Sequence, residues 1–186
     1  MKHHNRRFLA VFLVAMAACL DVSFSVDKVA EMTVDGHSKT TSSVVVVDLS
    51  TNSDFQDHKG KVNGISLEKL TMWISTVNPG NQSTQVLSAD ISLRADGAPA
   101  DGSADVKIAT VATTLSFQTY LETGGGQKLT VGLTDQQARA ANQFLMDKVV
   151  RGSGKFTAVV SAAVDQNETH VNLKLDFTSS LSYGLL

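Results

Sequence analysis

Along most of the chain, apolar and polar residues alternate with a period of two. The clearest run is 171–177, where Val171, Leu173, Leu175 and Phe177 interleave with Asn172, Lys174 and Asp176. This is the pattern of a strand with one buried face. Before it, Phe156, Ala158, Val160, Ala162 and Val164 share one face, and residues 165–168 supply a turn. Within 65–77, Leu70, Met72 and Ile74 alternate with Thr71, Trp73 and Ser75 until Asn78-Pro79-Gly80 ends the run. Trp73 therefore falls opposite the apolar face, which implies cross-strand packing or a second covered face.

Weaker runs predict strands at 86–95, 106–111, 114–121 and 128–133. Residues 42–49 carry four consecutive valines. Such residues are stiff at χ1, and an unbroken apolar run predicts a strand covered on both faces. Residues 21–34 alternate only loosely and read as a first strand or as a tether. Residues 51–64 are polar and rich in turn formers.

The period changes once, after Thr134. Ala138, Ala141, Leu145 and Val149 recur at helical intervals, and Thr134 with Gln137 has capping-box spacing. One helix is expected near 135–150, stopped by Gly152 and Gly154. About eight strands with turns between them and a single helix predict a mainly β chain. The expected fold is an antiparallel β-sandwich, immunoglobulin-like or jelly-roll-like.

The first residues follow a different rule. Lys2, Arg6 and Arg7 precede an apolar run from Phe8 to Ala18 that ends at Cys19, the single cysteine. The run is too short to cross a bilayer, which takes about 20 apolar residues, and polar residues follow it. Basic start, short apolar centre and small residues are the parts of an export signal. Met16-Ala17-Ala18-Cys19 resembles the lipobox of bacterial lipoproteins, departing from it at Met16, where leucine is usual. The resemblance implies a cysteine that becomes the first mature residue and carries lipid. Cleavage without lipid, before Leu20 or Val26, is the alternative. The expected organisation is a signal peptide at 1–18, a tether and possible first strand at 19–41, and the β-sandwich at 42–186.

Lipidation would also consume a thiol that is a liability in an oxidising compartment. One acyl chain anchors only marginally, whereas several anchor firmly. The expected partners are thus a membrane, through the lipid, and an envelope protein recruited by an open sheet edge.

Removing the leader leaves thirteen Lys and Arg against eighteen Asp and Glu, a formal charge of −5. A mildly acidic domain without a basic run lacks the footprint of a nucleic-acid binder. Candidate chemistry is sparse. His37, His58 and His170 lie in no HxH or HExxH pair, and no cysteine remains to join them, so no metal is expected. Asp54, Asp57 and His58 share a loop that reads as solvated. Asp96, Asp101 and Asp105 sit among glycines in a loop that offers calcium oxygen ligands, but Asp-Gly is also a common turn pair and the spacing is not that of an EF-hand. No Gly-x-Ser-x-Gly elbow marks a nucleophile, and Gly124-Gly125-Gly126 lacks the lysine of a phosphate loop. Asn81 and Asn167 head glycosylation sequons.

The expectation is accordingly a non-enzymatic exported β-sandwich of the bacterial envelope, without cofactor, lipid-anchored at Cys19, with a binding or structural role. A carrier of an apolar ligand between the sheets is the alternative, and a hydrolase with a cryptic site is less favoured.

Overall fold

A computed structural model describes residues 21–184, so the leader and Cys19 lie outside the described residues. Among the described residues, nine strands form two antiparallel sheets. They are β1 (Asp21–His37), β2 (Thr40–Asp48), β3 (Val62–Val77), β4 (Gln85–Ala95), β5 (Val106–Val111), β6 (Leu115–Ser116), β7 (Leu129–Thr130), β8 (Lys155–Val164) and β9 (Glu168–Gly184). One sheet has the order β1-β9-β3-β7; the other has β2-β8-β4-β5, with the short β6 also paired to β4.

The pairings are nested. First pairs with last (β1 with β9), then β2 with β8, β3 with β7 and β4 with β5. A chain folded back on itself in this way and split between two sheets is a jelly roll. Of the two sandwiches expected from the alternation, it is this one that forms.

The inward faces make a common core. Met32 and Val34 of β1, Leu70 and Met72 of β3, Ile91 and Leu93 of β4, Phe156 of β8 and Leu175 of β9 are all buried. Phe156 stands at its centre, edge-on to Phe177 of the opposite sheet at 5.5 Å and to Phe144 at 6.4 Å. Phe144 ends helix α3 (Asp135–Phe144), whose capping box at Thr134 and Gln137 is made in both directions. The helix runs on as a π-helical segment, Leu145–Ser153, and ends at Gly154 in the left-handed region, φ 84°. Gly152 already leaves the helical region, at φ −103° and ψ −141°, so both glycines expected to stop the helix do so, and Gly154 supplies the left-handed cap.

Four expectations change. The polar stretch after β2 is not all turn: Asn52 caps α1 (Ser53–His58), whose Phe55 is buried beneath it. The strand expected over 114–121 is only β6, followed by one turn of helix, α2 (Phe117–Tyr120), closed by Leu121 N–H donating to the Phe117 carbonyl. The strand expected over 128–133 shrinks to Leu129–Thr130. The valine run of β2 is not covered on both faces. β2 is an edge strand paired with β8, and Val44 and Val46 are 54% and 62% exposed.

Residues 21–34, ambiguous between strand and tether, are a strand that continues to His37. All seventeen pair with β9, from Asp21 opposite Gly184 to His37 opposite Glu168. At about 3.3 Å per residue, β1 spans roughly 50 Å, and its two ends define the two ends of the sandwich.

Candidate functional site

At the His37 end, the β1–β9 register fixes four side chains on the outer face of their sheet. His37 lies opposite Glu168, and Asp35 opposite His170. Because alternate residues of a strand share a face, the two pairs stand side by side. His37 Nδ1 is 2.8 Å from Glu168 Oε2, the same oxygen is 3.2 Å from His170 Nε2, and His170 Nδ1 is 2.6 Å from Asp35 Oδ1. The two imidazole centroids are 5.6 Å apart.

The loop after β3 straps this end of β9. The N–H groups of Gln82 and Ser83 donate to the Glu168 carbonyl, and Asn78 N–H donates to the His170 carbonyl. His170 N–H donates to Asn81 Oδ1, and the Ser83 and Thr169 hydroxyls, both buried, meet at 2.6 Å. Gly80 turns the loop at φ 89°, in the left-handed region that favours glycine. The side chain of His170 is 19% exposed, that of His37 74%.

The charges reinforce one another. The hydrogen bond and negative charge of Glu168 raise the His37 pKa above its ordinary 6.5, with Asp35 adding to the effect. The hydrogen bond to His37 in turn holds Glu168 below its ordinary 4.5. The His37 contribution to stability is complete below pH 6.5 and is lost as pH rises through its raised folded value. That of Glu168 is complete above pH 4.5 and is lost as pH falls through its lowered folded value. In metal-free buffer, the stability gap between the parent protein and Glu168→Gln should be widest between pH 4.5 and 6.5. Urea unfolding at a series of pH values measures it, and a gap that does not vary with pH would show that the pair is not formed.

The other residues singled out by sequence are engaged elsewhere. His58 stacks on Tyr183 at 4.6 Å and lies 5.4 Å from Phe24. In the 96–105 loop, Asp105 receives both Nε and Nη2 of Arg94 at 2.6 and 2.8 Å, and Asp101 accepts from the Ser103 N–H and hydroxyl. Two of the three carboxylates weighed for calcium, Asp101 and Asp105, thus serve the loop itself. Asn81, the first sequon, is spent on the strap, its amide donating to the Ser83 carbonyl at 2.6 Å. A cavity between the sheets, lined by Val34, Met72, Ile74, Val86, Phe117 and Val171, measures about 30 Å³. That is room for a water molecule or two, far below the several hundred Å³ of a ligand site.

Only the pairing of β1 with β9 reveals the four-residue cluster, since its halves are more than a hundred positions apart. The sequence does contain a signal for it: Asp35-Gly36-His37 and Glu168-Thr169-His170 are two acid-x-His triplets on strands. A search restricted to HxH and HExxH passes over them.

No family model matches the chain, and no curated protein sequence does. Among solved structures, Desmodium yellow mottle tymovirus overlaps 90% of this chain and 91% of its own, at 11% identity and a TM-score of 0.37. Turnip yellow mosaic virus overlaps 89% and 96%, at 12% identity and the same TM-score of 0.37. Tobacco necrosis virus overlaps 89% and 98%, at 9% identity and 0.33. Overlap this weak bears on neither ancestry nor role.

Proposed function

We propose that the chain is exported, held on a bacterial envelope membrane by acyl groups on Cys19, and acts there as a binding domain. The observation that carries the reading is the sequence of the leader, in which Lys2, Arg6 and Arg7 precede the apolar run Phe8 to Ala18 and Cys19 closes it. Asp21, two residues after that cysteine, already pairs with Gly184, so an anchor there would lie close to the sandwich. The end with Asp21 and Gly184 would then rest against the leaflet. Phe24 and Tyr183, paired edge-on at 6.0 Å and only partly buried, belong to that end, and such aromatic groups suit a membrane–water boundary. The opposite end, with Asp35, His37, Glu168 and His170, would be presented roughly 50 Å away from the leaflet, at the far reach of β1.

Expression with the native leader in a diderm bacterium tests this. The parent should be recovered with the membranes, its intact mass that of a chain starting at Cys19 plus acyl groups. Cys19→Ser should move it to the soluble fraction. A soluble, unacylated parent starting at Leu20 or Val26 would remove the anchor. A start at Val26 would also strip five residues from β1, an independent argument against that cleavage.

A further inference from the structure

The geometry points to a binding site for a divalent transition-metal ion of the zinc class, with His37 Nδ1, Glu168 Oε2 and His170 Nε2 as ligands and Asp35 orienting His170. It stands whether or not Cys19 is acylated.

The three ligand atoms lie within 4.8 Å of one another. An ion bonded at about 2.0–2.1 Å in a tetrahedral site needs its ligands roughly 3.3 Å apart. The observed 2.8 and 3.2 Å contacts to Glu168 are already close to that spacing. His37, the most exposed member, is free to rotate into place.

The hydrogen bonding of His170 gives a second, independent reason. The 2.6 Å contact between Asp35 Oδ1 and His170 Nδ1 steadies the ring and leaves Nε2 facing Glu168 Oε2 at 3.2 Å, on the side where an ion would bind. Carboxylate, imidazole and metal in series is also the usual way a ligating histidine is oriented and made more basic.

Two nitrogens and one carboxylate oxygen form a borderline donor set. It suits zinc, cobalt, nickel or copper, whereas calcium and magnesium require six or more oxygens. The strap that holds the Glu168 and His170 backbone keeps two of the three ligands in place before the ion arrives. With three protein ligands and one side open through His37, the ion keeps an exchangeable position. The ion would be held at the tip of the domain, open to a ligand from solution.

The test uses the full chain with His3→Ala and His4→Ala, so that the leader histidines do not compete. Calorimetric titration with Zn²⁺ should give one site per chain, and Co²⁺ should produce the strong visible bands of a tetrahedral complex. His37→Ala and Glu168→Gln should each weaken Zn²⁺ at least tenfold, and Asp35→Asn about 10–100-fold. His58→Ala should leave binding unchanged, and excess Mg²⁺ or Ca²⁺ should not displace Co²⁺. Circular dichroism confirms that each variant is folded; exposed His37 carries no core packing, so its variant keeps the test decisive. Absence of saturable Zn²⁺ binding, a His37→Ala protein that binds like its parent, or displacement by Mg²⁺ would each overturn the proposal.

Discussion

Phe156→Ala should destabilise the domain by about 3–5 kcal/mol, the usual cost of emptying a fully buried aromatic site. The residue is 1% exposed and is the point where three elements meet: its own strand β8, Phe177 of β9 in the facing sheet, and Phe144 of helix α3. Edge-to-face pairs add about 0.5–1.5 kcal/mol each beyond the area they bury. Neither partner can follow the deleted ring, since one is fixed by a strand paired on both sides and the other by a capped helix. Against a total stability of about 5–15 kcal/mol for a domain, much of the folding free energy would go. Urea unfolding gives the number directly; a loss under about 1.5 kcal/mol would mean that the sheets close over the gap and that the core is softer than its packing indicates.

Trp73→Ala should cost a similar amount, about 3–5 kcal/mol, but with a different local signature. Trp73 is 5% exposed although it lies on the outer face of its sheet, opposite Met72 and Ile74. Residues 121–131 run along the β3 edge: Glu122 N–H donates to the Ile74 carbonyl, Val131 N–H donates to the Leu70 carbonyl, and β7 pairs with Thr71 and Met72. Lys128 completes the lid, its ammonium 4.0 Å from the indole centroid. Removing the ring takes away what this segment rests on. Limited proteolysis should therefore cut the variant near Gly124-Gly125-Gly126 faster than the parent while the rest of the sandwich resists. Lys128→Ala, which removes an exposed cation–π contact worth about 0.5–1 kcal/mol, should show the same cut more weakly. Uniform proteolysis throughout the Trp73→Ala chain would instead make the ring part of the main core.

The tryptophan also shows how far alternation alone reaches. Its position opposite the apolar face already implied cross-strand packing or a second covered face, and β8, β9 and the capped helix α3 declare themselves because each carries an unbroken period. β1 declares itself poorly, because Lys28 interrupts its inward series and its partner lies at the other end of the chain. The valines of β2 have no period at all, so nothing in them distinguishes a central strand from an edge with one bare face. Leu115 and Phe117 alternate like a strand, and only the hydrogen bond from Leu121 back to Phe117 turns that stretch into a helical turn. In α1 a single buried phenylalanine is too little to set a period. The acidic and histidine cluster is hidden for a related reason: each half is legible as an acid-x-His triplet, but the register that joins them is a property of the folded sheet.

The nested strand order also has a consequence in time. β1 cannot complete its ladder until Glu168–Gly184, the last strand, is available, and β2 must likewise wait for β8. Pairings between such distant segments close slowly, since the chain spends loop entropy before any contact rewards it. A chain emerging from the ribosome can make early only the inner pairs, β4 with β5 and β6 and the short contact of β3 with β7, while β1 and β2 stay unpaired until β8 and β9 have been synthesised. For the export proposed above, such a delay would suit a polypeptide that must be threaded unfolded through a translocation pore.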